Sequence, residues 1–229
     1  MTALLEAAPP PVRDSRIRVM VVDDSAIVRG LIVQTLERDP ALRVVARAAQ
    51  GEAALAELDR TAVDIVVLDI EMPVMDGLTA LPLILKKRPE VKVIMASTLT
   101  RRNARISLQA LQAGAADYVP KPETGGLVGA DEFARELTAK VKALGQARGL
   151  PTPPTAGLVV PVVRAAALSP PVRPQVVAIG GSTGAPPALM TLFADLKGEL
   201  EQAVLLTQHM PPTFTAMLAE QLERTGERP

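Results

Sequence analysis

"DIVVLDIEMPVMDG", Asp64 to Gly77, is the stretch that decides the fold. Four aliphatic residues in succession, with no polar alternation, read as a strand buried on both faces, which is what a central strand of a parallel sheet requires. The strand closes on Asp69, and Pro73 and Gly77 punctuate the loop after it. Comparable runs stand on either side: "IRVMVV" (17–22), "RVVARA" (43–48), "VKVIMA" (91–96) and the brief "DYV" (117–119). Segments of helical period separate them. Val28, Leu31, Ile32, Thr35 and Leu36 mark one apolar stripe, Ala54, Leu55 and Leu58 the next, and further helices fit 78–88, 103–113 and 131–147. The pattern predicts an α/β fold: a flavodoxin-like, doubly wound, five-stranded parallel sheet.

Composition narrows the chemistry. The 229 residues carry 25 basic and 25 acidic side chains, so no net field favours nucleic acid or an anionic membrane. With no cysteine and a single histidine, His209, a metal site must use oxygen ligands, which suits Mg²⁺ or Ca²⁺. No apolar run approaches the ~20 residues of a membrane helix, and the expectation is a cytoplasmic protein without membrane insertion.

Seven of the 21 prolines fall between Gly149 and Pro174, a composition that resists regular structure. The chain therefore divides into an N-terminal tail (1–16), a first domain (17–148), a proline-rich interdomain linker (149–174) and a second region (175–229). In that last region the β-α-β pattern restarts, with "QVVAIG" and "AVLLT" as strands, a helix over 186–196 bearing Leu189, Leu192, Phe193 and Leu196, and a helix from Pro212 to about Arg224. A region this short is marginal for its own core, so a partial Rossmann-like α/β domain is expected.

Ligands of doubly wound sheets sit beyond the carboxyl ends of the strands. Asp23, Asp24, Asp69, Ser97, Thr98 and Lys121 all fall there. Each aspartate taken alone could cap a helix or begin a turn. Together, three carboxylates need a cation, and the set suits phosphoryl transfer, with Asp69 as nucleophile, Mg²⁺ as counterion, and Lys121 with Ser97 gripping the phosphoryl group.

In "VVAIGGSTGA" (176–185), Gly180, Ser182 and Gly184 fit G-x-S-x-G between a strand and a helix opened by prolines, as in a nucleophile elbow. The Rossmann fingerprint and the Walker loop are not matched. His209 ends the very next strand, where it could serve Ser182 as base or stand as an ordinary loop residue.

The motifs "VVDDS", "LDIEMPVMDG", "MAST" and "DYVPKP" closely resemble the receiver domain of two-component response regulators over residues 17 to about 145. The resemblance implies that Asp69 accepts a phosphoryl group from a histidine kinase. It also implies that Asp23, Asp24, Asp69 and the backbone carbonyl of Glu71 hold Mg²⁺, and that Ser97 and Tyr118 shift on phosphorylation. With the proline-rich stretch, "IGGSTGA" and "QHMPPTFTAMLAEQL" added, the chain is similar to the chemotaxis protein-glutamate methylesterases. That likeness implies that Ser182 attacks glutamyl methyl esters on chemoreceptors, with His209 as base and then acid, and that receptor glutamines can be deamidated by the same route. Thr183 is positioned to offer its backbone N–H to the oxyanion. The triad aspartate of that family lies in a "GMGxDG"-like segment that the sequence does not contain, so the chain itself is expected to be inactive as an esterase. Two alternatives stand beside this reading: a non-enzymatic response regulator or docking module, and an unrelated serine hydrolase under receiver control.

Overall fold

The computed structural model describes residues 15–98, 100–122, 129–146, 174–197 and 199–227. The tail up to residue 14 and the proline-rich stretch at 149–173 lie outside them. Five parallel strands, β1 (Ile17–Val22), β2 (Leu42–Ala48), β3 (Ile65–Asp69), β4 (Lys92–Ser97) and β5 (Asp117–Pro120), alternate with α1 (Ala26–Glu37), α2 (Gly51–Arg60), α3 (Gly77–Lys87), α4 (Arg101–Gln112) and α5 (Ala130–Gln146). Their spatial order is β2-β1-β3-β4-β5, the expected doubly wound arrangement.

Strand alternation sorts the core into two layers. Val19 and Val21, Ile65 and Val67, Ile94 and Ala96 point to the side covered by α1 and α5, through Ile32, Leu36, Phe133, Leu137 and Val141. Met20 and Val22, Val66 and Leu68, Val93 and Met95 point to the side covered by α2, α3 and α4. Because both faces are covered, the central strands read as unbroken apolar runs. Side-chain caps start three helices where the sequence supplies them. Ser25 accepts from Val28 N, Asp76 from Thr79 N and Thr100 from Asn103 N.

The loop from β3 to α3 is tight. A Cβ on Gly77 would stand 2.0 Å from the carbonyl oxygen of Asp69, so only glycine lets the loop close beside that aspartate. Val74 on the same loop has φ +66°, a left-handed conformation that a β-branched residue resists, while its side chain is 81% exposed. Replacing Val74 with glycine should relieve ~1–2 kcal/mol of steric cost against ~0.5–1 kcal/mol of added chain entropy. A small rise in the urea midpoint at unchanged m-value is expected; a fall would show that Val74 is not strained.

A second unit follows: parallel strands β6 (Val176–Gly181) and β7 (Ala203–Gln208), with α6 (Ala185–Asp195) and α7 (Pro212–Gly226). Residues along both strands alternate between exposed and half-buried, and none is buried. This sheet has no core of its own among the described residues. Its helices instead extend the α4 side of the first core, with Leu189, Met190, Phe214, Leu218 and Leu222 buried there. One expectation is corrected here. On α6 the buried face is Pro186, Leu189 and Met190, with Phe193 half-buried, whereas Leu192 is exposed. The helix turns its apolar stripe toward α4, β5 and α7.

Candidate functional site

Two short loops at the carboxyl end of the five-stranded sheet carry the acidic residues. Asp23 and Asp24 follow β1 and Asp69 closes β3, and one carboxylate oxygen from each lies within 4.8 Å of the others. Asp23 and Asp69 are buried and Asp24 is exposed. Just past β5, Lys121 places Nζ 2.7 Å from Asp23 Oδ2 and 2.7 Å from Asp69 Oδ1. By distance Lys121 and Asp23 are an ion pair. The approach is nevertheless not that of a directed hydrogen bond, and Asp23 Oδ2 is buried without one. Burial pushes the Asp69 carboxyl above its ordinary range; Lys121 offsets part of this, and the Asp23 charge adds to the upward shift.

Three carboxylates cluster here, and the one ammonium beside them pairs with Asp23 and Asp69, which leaves the cleft net negative. An additional hard cation with oxygen ligands fits that deficit. The reading of these aspartates as helix caps is met by other residues, since Ser25 and Asp76 cap α1 and α3. Asp23 Oδ1 does accept Ser25 N at 2.9 Å, which holds the turn after β1. Asp69 Oδ1 receives Glu71 N at 3.4 Å, so Glu71, exposed, stands on the loop directly after the acceptor strand.

Ser97 and Lys121 are joined through the backbone, where Lys121 N donates to Ser97 O at 2.7 Å. Ser97 Oγ is buried and lies 3.2 Å from Ser107 Oγ on α4. Thr98 accepts from the Asn103 side-chain amide at 2.7 Å. Tyr118 is 1% exposed, with its hydroxyl buried and unpartnered. Its ring stacks on Phe214 of α7 at 4.3 Å between centroids and 1° between planes, with Lys140 Nζ 4.9 Å from the ring centre. Burial first, and then the charges of Asp117 and Glu136, push the phenol far above its usual range.

The serine motif forms a reverse turn at the end of β6. Ala185 N donates to Ser182 O at 3.0 Å, and Gly184 takes φ +75°, ψ −2°, the values of the third residue in a type II turn, where glycine is required. The last rung of the β6–β7 pairing is Gly181 with Gln208. Ser182 and His209 are thus each the first residue beyond that rung, on neighbouring strands about 4.8 Å apart. Both are exposed. No hydrogen bond joins Ser182 Oγ to the His209 imidazole among the described residues; instead Gln208 Nε2 donates to Ser182 O at 3.1 Å. Thr183 is the second residue of the turn.

Sequence reasoning misses the pair Asp117 and Lys140, both buried. Lys140 Nζ reaches Asp117 Oδ1 at 3.0 Å, Tyr118 O at 2.6 Å and Glu136 Oε1 at 3.0 Å. The other Asp117 oxygen accepts the N–H of Gly184 at 2.9 Å. Lysine at the centre of a buried helix face is the one signal available beforehand, since a lysine seldom sits there unpaired.

A parallel sheet in this order, with an acidic cluster and a lysine at its carboxyl end, defines a response-regulator receiver. The response regulator receiver domain model matches residues 19–128, and the CheB methylesterase model matches residues 177–229. The chain is 51% identical to a protein-glutamate methylesterase/protein-glutamine glutaminase of Rhodospirillum centenum over 90% of its length, covering 59% of that protein. It is also 51% identical to the Azospirillum brasilense protein of that name over 91% of its length, covering 58% of it. The crystal structure of the response regulator domain of Thermotoga maritima CheB superposes with a TM-score of 0.52 at 37% identity, covering 57% of this chain and 97% of that one. The chain belongs to the CheB family of chemotaxis response regulators, which join a receiver to a methylesterase region. It spans about three-fifths of the length of the curated relatives it matches.

Proposed function

We propose that this protein is a phosphorylation-controlled methylesterase of chemotactic adaptation, with a receiver at 17–148, an interdomain linker at 149–174 and a catalytic region from 175. Asp69 takes the phosphoryl group from a histidine kinase. Its carboxylate oxygen bonds to phosphorus as the bond from phosphorus to the kinase histidine nitrogen breaks. Asp23, Asp24, Asp69 and the Glu71 carbonyl hold Mg²⁺, which neutralises charge on the phosphoryl oxygens when bound. Lys121 keeps Asp69 and Asp23 together and then pairs with the new anion. Ser97 exchanges its bond to Ser107 for one to the phosphoryl group, and Tyr118 moves with it. The observation that supports this half most is Lys121 Nζ at 2.7 Å from two buried carboxylates at one strand-end cleft.

In the catalytic half, Ser182 attacks the ester carbon of a glutamyl methyl ester on a chemoreceptor. His209 removes the serine proton and returns it to the methoxy oxygen as the bond from the acyl carbon to that oxygen breaks and methanol leaves, and the Thr183 N–H stabilises the oxyanion. Water then frees the carboxylate, and glutamine side chains can be deamidated by the same steps with ammonia leaving. No helix among the described residues is long and apolar enough to cross a membrane. The proposed exchange with a histidine kinase and with receptor tails would take place in the cytoplasm. The reading is tested by assaying methanol release from methylated receptors, using this sequence carried to the full length of its relatives, with and without acetyl phosphate and Mg²⁺. Release should rise several-fold with the phosphodonor in the wild type and stay flat in Asp69→Asn. Release indifferent to the phosphodonor in the wild type would remove the receiver from control.

A further inference from the structure

Helix α6 begins without a cap of its own. Its N-cap residue is Gly184, which has no side chain to offer, and Pro186 and Pro187 follow within its first turn. The missing acceptor comes from the receiver, because Asp117 Oδ2 on β5 receives the Gly184 N–H at 2.9 Å. A carboxylate at a helix N-terminus satisfies an open donor and meets the positive end of the helix dipole. The carboxylate is itself firmly held. It is 2% exposed, and its other oxygen bonds Lys140 Nζ at 3.0 Å and Tyr118 N at 2.8 Å.

We propose that Asp117 is the residue through which the receiver positions the serine turn: its carboxylate caps α6 from the other unit and ties Gly184, and with it Ser182, to the edge strand β5. The contact lies on a short mechanical path from the acidic cluster. Lys121, which bridges Asp23 and Asp69, directly follows β5, and Asp117 begins that four-residue strand. Lys140 Nζ holds both the Asp117 carboxylate and the Tyr118 carbonyl, so a displacement of Tyr118 is felt at the Asp117 carboxylate. Neighbouring residues of one strand thus grip both parts of the esterase region: Asp117 holds the turn bearing Ser182, and Tyr118 stacks on Phe214 in the helix after His209. Loss of the Asp117 bond frees the turn while the receiver sheet stays intact.

This inference rests on the proposed role of Ser182 and Asp69 only for its consequence; the contact itself is tested without any activity. Amide hydrogen exchange of this chain, followed by NMR, reads Gly184 against the core amides of Val66 to Leu68. Asp117→Ala should speed Gly184 exchange about 10- to 100-fold, the loss of one charge-assisted hydrogen bond, with core protection unchanged. Asp117→Asn, which keeps an oxygen acceptor of the same shape, should recover part of the protection. Gly184 exchange equal to wild type in Asp117→Ala overturns the proposal; should the alanine variant open the core as well, Asp117→Asn with an intact core decides, and Gly184 exchange there as fast as in the alanine variant overturns it. Wild type carrying one phosphoryl group should show faster Gly184 exchange; a phosphorylated chain with unchanged Gly184 protection overturns Asp117 as a switched contact. Absence of any phosphoryl uptake instead contradicts the receiver assignment and leaves the Asp117 variants to judge the contact.

Discussion

Replacing Phe214 with alanine is expected to detach the C-terminal region from the receiver while leaving the receiver folded. Phe214 has no exposed surface and lies flat against Tyr118, and burial of this kind is worth about 3–5 kcal/mol on truncation to alanine, with a further ~0.5–1.5 kcal/mol for an aromatic pair. The cost falls on docking because the β6–β7 sheet has no buried strand residue to retain α7 by itself. Tyr118 is the only tyrosine and the chain has no tryptophan, so the tyrosine ultraviolet signal comes from this one residue. In the wild type, burial suppresses ionisation of the phenol far into alkaline pH. In Phe214→Ala the phenol should titrate closer to the ordinary tyrosine value of about 10. An unchanged alkaline titration, with C-terminal peptides still resistant to protease, would contradict the packing of α7 on β5.

A second large effect is expected at Ser182. With the chain carried to the full length of its relatives, Ser182→Ala should lower methanol release from methylated receptors on the order of 10⁴-fold or more, since removing a serine nucleophile disables both steps of acyl transfer. His209→Gln should fall nearly as far, and the double variant little further, because the two act as one unit. Both residues are exposed and neither is part of a buried contact, so folding should be unaffected. Retained turnover in Ser182→Ala would leave the turn with a structural role only.

The five-stranded sheet was legible because its central strands are buried on both faces, and "IVVL" and "VKVIMA" announce that without ambiguity. The strand-end cluster was legible for the same reason: once the strands are in place, Asp23, Asp69 and Lys121 have nowhere else to converge. Less could be read in the second unit. The apolar residues of α6 fit two overlapping stripes, and only the presence of α4 and β5 decides that Met190 faces inward and Leu192 outward. Asp117 and Lys140 are illegible for a deeper reason. Their partners sit 67 and 23 residues away from Asp117 in the chain, and no local period encodes such a contact. The turn at Ser182 shows both sides of this. Its glycines announce the bend, but the acceptor that holds Gly184 belongs to another sheet.

The central claim is that Asp69 accepts a phosphoryl group in a site needing a divalent cation. Intact-mass measurement after incubation with acetyl phosphate tests it most directly. One phosphoryl group per chain is expected, acid-stable and base-labile, present with Mg²⁺, absent with chelator and absent in Asp69→Asn. Undiminished uptake in Asp69→Asn would contradict the account.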